Sequence, residues 1–287
     1  MNKRPIVVLK VGGDMATSPE RLQAICAETA VLKESGFSVI LVHGGGPQLD
    51  QALQRLGQQS TRVAGRRVTA SADLELAIQV WRGTLSVAWV SGLSRQGVAA
   101  CGVCGADGSL LQGHRRPRTS LVDDNGHHVT VDFGHVGDLD RVDASLLFAL
   151  LQSNIVPVIS PLAMDPVSGR MLNVNADTVA AAVACAVQAE WLVLLSSVPG
   201  LLRDVEDPTT RVSKMAVSDV PDLIKSGVIT GGMRPKIAAL ADALAGGVHR
   251  AILLDGRVPQ MSKVLVRGQD SGTELFTQCK EDAAVAV

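Results

Sequence analysis

The chain has 287 residues, 46% of them hydrophobic, which suffices for one large core or two adjoining ones. Its 27 basic and 28 acidic side chains leave a formal net charge of -1, with no Tyr, four Phe and three Trp, so it has neither the basic field nor the aromatic platforms of a nucleic-acid binder. Cys26, Cys101, Cys104, Cys185 and Cys279 are an odd set scattered through apolar stretches, which fits a reducing cytoplasm, and no apolar run approaches the roughly 18 residues of a membrane span.

Ile6 to Leu9 followed by Lys10-Val-Gly-Gly13 reads as a strand buried on both faces that ends in a tight loop. Ser18 and Pro19 supply an N-cap and a first-turn proline for a helix over 19–35, stopped by Gly36. Phe37 to Val42 is a second buried strand leading into His43-Gly44-Gly45-Gly46, after which Pro47 opens a helix to Gly57. A long helix over 71–94, a strand at 97–103, a helix at 138–153 and a strand at 156–160 continue the alternation, which defines an α/β fold with a parallel sheet. Thr119–Val122 and Val129–Phe133 flank Asp123-Asp-Asn-Gly126, the turn chemistry of a projecting β-hairpin. The turn-forming segment 164–170 precedes a second helix and strand series that includes an apolar helix from Val179 to Val187, so a boundary near 170 divides the chain into lobes 1–170 and 171–287.

The two glycine turns, Gly12-Gly13 and Gly44 to Gly46, let backbone N–H groups approach an anion at a helix N-terminus, though glycines also end strands for purely structural reasons. Neither turn fits G-x-G-x-x-G, and Gly231-Gly232-Met-Arg-Pro-Lys236 has the wrong spacing for a P-loop. Lys10 interrupts an apolar strand and Lys236 follows glycines at a helix start; both suit phosphate, yet Lys10 has an equal account as an edge-strand side chain and Lys236 as an exposed first-turn residue. Asn173 and Asn175, two apart in an extended segment, present amides on one side with Asp177 close behind; helix capping alone also accounts for Asp177. Cys101 and Cys104 read as buried thiols rather than zinc ligands, and His114, His127 and His128 as solvated loop residues, so no metal site is expected in the protein itself. The basic run His114-Arg-Arg-Pro-Arg118 is a solvated loop or a docking rim for an acidic partner.

Lys10-Val-Gly-Gly13, His43-Gly-Gly-Gly-Pro-Gln48, Gly65-Arg-Arg-Val-Thr69, Asn173-Val-Asn-Ala-Asp177, Gly231-Gly-Met-Arg-Pro-Lys236 and Asp255-Gly-Arg-Val-Pro259, in this order and spacing, resemble the acetylglutamate kinases of the amino acid kinase family. The resemblance implies one open sheet with helices on both faces, an N-terminal lobe for an N-acylated amino acid and a C-terminal lobe for ATP with Mg²⁺ carried on its phosphates. It assigns Lys10, Lys236 and Asp177 to catalysis. Gly44, Gly45, Gly46, Arg67, Asn173 and Asn175 would bind the acyl amino acid, and Gly12, Gly13, Ser196, Ser197, Gly200, Gly232 and Met233 the nucleotide. Ser197 stands where the family usually has Asp, Ala106 where it usually has Lys, and Gly83-Thr-Leu-Ser86 lacks the common Lys and Asn. N-succinylglutamate is a close variant of the substrate, the related kinases of lysine biosynthesis that act on aminoadipate attached to an acidic carrier protein supply a second reading, and a non-catalytic sensor on the same fold a third. A first strand beginning by residue 6 leaves no room for the N-terminal helix of arginine-inhibited hexameric relatives, so a homodimer without strong arginine feedback is expected.

Overall fold

The computed structural model describes residues 4–122 and 126–277. In chain order the first part comprises β1 (Ile6–Val11), α1 (Pro19–Glu34), β2 (Ser38–His43), α2 (Gly46–Arg55), β3 (Arg62–Val63), β4 (Arg66–Arg67), α3 (Ser71–Ile78), α4 (Ser86–Ser94) and β5 (Ala100–Val103). Next come β6 (Leu111–Arg115), β7 (Thr119–Val122), β8 (His128–Val131), β9 (Gly137–Val142), α5 (Ser145–Gln152), β10 (Val156–Ile159), β11 (Leu162–Met164) and β12 (Met171–Asn173). The remainder is α6 (Ala176–Ala186), β13 (Trp191–Ser196), β14 (Leu201–Leu202), β15 (Arg211–Val212), β16 (Lys214–Ala216), α7 (Val220–Lys225), α8 (Met233–Ala245), β17 (Arg250–Asp255), α9 (Met261–Leu265) and β18 (Thr273–Phe276).

The main sheet runs β16-β18-β17-β13-β1-β2-β10-β5. Its strands are parallel from β17 to β5, and β18 joins β17 antiparallel. β1 has a neighbour on both sides, and each side chain therefore faces one of two helical layers. Val7, Leu9 and Val11 pack with Ile25, Leu32, Trp89 and Leu93 of α1 and α4, whereas Ile6 and Val8 pack with Val179, Val183, Ile237 and Leu240 of α6 and α8. This is the open sheet with helices on both faces that the motif pattern implied.

The Ser18 cap forms as the sequence dictates, its hydroxyl accepting from the Arg21 backbone N–H. The long helix over 71–94 is continuous but contains a π-helical segment, Gln79–Leu85, between α3 and α4. The expected helix over 138–153 is corrected: residues 137–142 are β9, paired antiparallel with β6, and only Ser145–Gln152 is helical. Asp143 divides the two, its carboxylate accepting from the Ser145 backbone N–H, and the cross-strand ladder outweighs the helical spacing of Leu139 and Val142. β7 and β8 pair as the projecting hairpin, and its turn at 123–125 lies outside the described residues.

Helix α6 ends with Gln188 in the left-handed region (φ 52), its N–H reaching Cys185 O and the next N–H reaching Ala184 O. A side chain at this position costs about 1 kcal/mol that glycine avoids, and Gln188 is exposed. Gln188→Gly is therefore expected to raise the thermal midpoint by about 2 °C in a calorimetric scan.

Candidate active site

The alternation that sends Ile6 and Val8 toward α6 sends Lys10 there too, at the C-terminal edge of the parallel strands. Lys10 is 6% exposed, and its ammonium lies 2.7 Å from Asp177 Oδ1, itself on a residue 6% exposed. Asn175, not Asp177, caps α6: its side-chain oxygen accepts from the N–H groups of Asp177 and Thr178 at 2.7 and 3.2 Å. Asp177 occupies the first turn, where the helix dipole favours its charge, and its carboxylate is left to meet Lys10.

The two glycine turns meet back to back at this edge. A Cβ on Gly13 would fall 3.0 Å from Gly45 N, and one on Gly44 would fall 2.9 Å from Gly13 N, so the main chains touch where side chains cannot fit. Gln48 ties them, its amide donating to Gly13 O at 2.7 Å. Trp81, in the π-helical segment, donates its indole N–H to Gly45 O at 2.8 Å. His43 lies beneath the second turn, fully buried; Gly44 O can only accept, so His43 Nδ1 donates to it at 3.1 Å, and Nε2 lies 3.0 Å from Ser160 Oγ, whose hydroxyl also reaches Trp81 O at 3.2 Å. A Cβ on Gly46 would meet nothing within 4 Å, which leaves open space beside that residue.

Arg67 reaches the same turn from β4. Its Nη2 donates to Gly46 O at 3.3 Å and to Asp50 Oδ1 at 2.6 Å, while Nη1 is buried with no hydrogen-bond partner. Asn173, on β12, donates through Nδ2 to the buried Thr69 Oγ1 at 2.9 Å. Thr69 O in turn accepts from the His135 N–H. The expected common presentation of Asn173 and Asn175 divides: one amide fixes Thr69 and the other caps a helix.

Lys236 stands in the first turn of α8, half-buried, donating to Gly232 O at 2.9 Å. Burial pushes its ammonium below the ordinary lysine value; Asp177 pulls it back up, Lys10 presses it down and Asp14 also raises it. Lys10, Asp177 and Lys236 thus lie within electrostatic reach of one another, with Asp14, which sequence reasoning had not singled out, beside them. Ser196 is buried at the end of β13 and accepts from the Gly256 N–H; Ser197 and Gly232 are exposed, and Met233 begins α8. Gly200 (φ 144) is packed against Thr273, a structural demand of its own.

Among the described residues no three His, Cys, Asp or Glu side chains gather to hold a metal ion. Cys104 is buried and its thiol is pushed up by that burial. No helix among those residues is long and apolar enough to cross a membrane. Two cavities of about 260 and 300 Å³, one beside Arg203 and Asp219 and the other beside Arg250 and Glu274, do not include Lys10, Asp177 or Lys236 among their lining residues.

Residues 5–255 match the model of the amino acid kinase family, and the chain belongs to that family. Within it, the chain is 37% identical over 252 residues to the acetylglutamate kinase of Methanosphaera stadtmanae, covering 88% of this chain and 84% of the relative. It is 38% identical over 253 residues to that of Heliobacterium modesticaldum, covering 88% and 85%. The crystal structure of smu.665 from Streptococcus mutans UA159 superposes with a TM-score of 0.76 at 24% identity over 95% of this chain and 99% of that one, a likeness of fold.

Burial lowers the His43 pKa from 6.5 to about 4 against the opposing hydrogen bond to Gly44 O. Between those values the unfolded chain takes up a proton that the folded chain refuses, so stability falls as pH drops through that window, by up to about 3 kcal/mol. Urea midpoints measured from pH 7 to 4 are expected to show this loss, and His43→Asn to flatten that part of the profile.

Proposed function

We propose that the chain transfers the γ-phosphoryl group of ATP to the side-chain carboxylate of N-acetyl-L-glutamate, forming an acyl phosphate for arginine biosynthesis. The observation that carries this reading is the buried Lys10–Asp177 pair with Lys236 in reach of both, set at the sheet edge beside the glycine turns. Relatives named acetylglutamate kinase at 34–38% identity support the choice of acceptor.

A carboxylate with a pKa of about 4 is ionised at neutral pH, so its attack on phosphorus needs no general base. What the protein must supply is alignment and positive charge, because the transition state spreads negative charge over the moving group. Lys10 and Lys236 supply that charge, and Asp177 orients both ammonium groups. The turn Gly44, Gly45 and Gly46 lines the acyl amino acid, with Asn173 and Asn175 fixing the neighbouring wall. The free Nη1 of Arg67 meets the non-reacting carboxylate. Gly12, Gly13, Ser196, Ser197, Gly200, Gly232 and Met233 border the nucleotide. Mg²⁺ bound to the ATP phosphates neutralises part of their charge. The lobes 1–170 and 171–287 contribute Lys10 and Lys236 respectively, so approach of the two around bound reactants completes the charged centre.

The carrier-linked reading needs a basic surface for an acidic partner. His114, Arg115 and Arg116 instead pair with Asp140, Asp132 and Asp138 at 2.8, 2.7 and 2.5 Å, which favours a small-molecule substrate. The sensor reading is disfavoured by the desolvated lysine, a costly arrangement for a protein that only binds. Cys26, Cys101, Cys104 and Cys185 are free, in keeping with a cytoplasmic enzyme.

Purified protein with ATP, Mg²⁺ and hydroxylamine is expected to yield a hydroxamate with N-acetylglutamate and none with free glutamate; no product with N-acetyl- or N-succinylglutamate would sink this reading. Lys236→Ala should lower kcat by a factor of about 30 to 1,000, and an unchanged turnover number would exclude its role. Because Lys236 holds its proton less firmly than an ordinary lysine, kcat/KM for ATP should fall on the alkaline side at a pH below 10.5, the ordinary lysine value. Saturating ATP should move that limb to higher pH, since bound phosphates favour the charged ammonium.

A further inference from the structure

Strands β3 and β4 form a two-residue hairpin that should be poorly stable by itself. Arg62 and Arg67 face each other directly across it, like charges at the closest cross-strand position. Its turn residues, Ala64 and Gly65, both have positive φ (48 and 72), which glycine tolerates and alanine does not. One carboxylate from outside the hairpin answers both arginines. Asp50, on α2, accepts from Arg62 Nη2 at 2.9 Å through Oδ2 and from Arg67 Nη2 at 2.6 Å through Oδ1.

The consequences for the two arginines differ. Arg62 keeps 45% of its side chain exposed, whereas Arg67 keeps 8%, and its second contact is Gly46 O at 3.3 Å. A guanidinium is rigid and planar, so tying Nη2 to Asp50 and Gly46 fixes the direction of Nη1. That atom is the buried donor without a partner. We infer that Asp50 is a positioning residue, which spends its own charge on the hairpin in order to aim the free edge of Arg67 at the anionic end of the acceptor substrate. This rests on the reading of Arg67 as the carboxylate clamp. Asp50 is not itself a substrate contact, because both its oxygens are engaged and its charge repels a carboxylate. Burial alone would push its carboxyl up, but the Arg67 hydrogen bond, the Ser60 hydroxyl and the charges of both arginines hold it below the ordinary value. A clamp on the non-reacting end grips ground state and transition state alike, so its misalignment appears in KM rather than kcat.

The test measures KM, kcat and calorimetric affinity for N-acetylglutamate in Asp50→Ala, Asp50→Asn, Arg67→Ala and the Asp50→Ala/Arg67→Ala double variant, each checked for an intact melting transition. Asp50→Ala is expected to raise KM and weaken affinity about tenfold, with kcat and the KM for ATP within about twofold. Asp50→Asn, whose amide oxygen still accepts from Nη2, should recover most of that loss, and Asp50→Ala should add nothing once Arg67 is gone. A normal loss in Arg67→Ala combined with a silent Asp50→Ala, or with additive effects in the double variant, overturns the inference alone. An Arg67→Ala variant that binds as tightly as the parent removes the clamp reading and this inference with it.

Discussion

A lysine within a strand that has neighbours on both sides is tolerable only with a counter-charge in contact, and the fold around Lys10 is arranged to provide one. Its ammonium would otherwise be stripped of water at a cost of several kcal/mol. Asp177 answers it from the first turn of α6, where the helix dipole already favours an acid and Asn175 has taken over the capping. The pair therefore constrains two things together: the face of the sheet on which α6 lies and the residue at which α6 begins. Buried ion pairs are poor stabilisers, since apolar replacements are often as stable or more so. An arrangement this demanding is better explained by what the charges do at the sheet edge than by what they add to folding.

The glycine turns obey the same economy of space. Gly13 is a glycine because Pro47 and the Gly45 backbone lie where a Cβ would go, Gly44 because the Gly13 backbone does, and Gly45 because Trp81 presses on it at 2.3 Å from a would-be Cβ. Trp81 comes from the π-helical segment, whose wider turn shifts the following residues around the helix axis relative to a regular α-helix. His43 and Ser160 complete the support from below with a neutral imidazole, which holds the Gly44 carbonyl without adding charge beside the turn. The open space beside Gly46 thus borders a turn that packing holds in place.

Local signals made much of this legible in the sequence. Ser18-Pro19 and the β-branched runs ending in glycine each act over a few residues, and those elements fall where their chemistry requires. The failures have a common physical origin in partners distant along the chain. Residues 138–142 have the spacing of a helix and become β9 because β6 is there to pair with them. The basic run reads as a solvated loop or a docking rim, and its counter-ions, on that same antiparallel strand and on the loop before it, come together with it only in the fold. Asp50 gave no signal because its importance arises only when a hairpin twelve to seventeen residues on folds back over α2.

The segment from Asn173 to Asp177 shows why a register of residues specifies more than any one of them. Asn173 is held to Thr69, in the wall beside the glycine turns; Asn175 is spent on the start of α6; Asp177 meets the lysine of β1. Three consecutive odd positions thus bind three different elements. Taken singly, each residue has a bland account, whether as an exposed amide, a cap or a first-turn acid. Shifting the segment by one position would break all three attachments at once, leaving Thr69 without this partner, α6 uncapped and Lys10 buried without its counter-charge. The spacing joins the wall that bears Arg67 and Thr69 to the strand that bears Lys10, and so fixes the separation of the two.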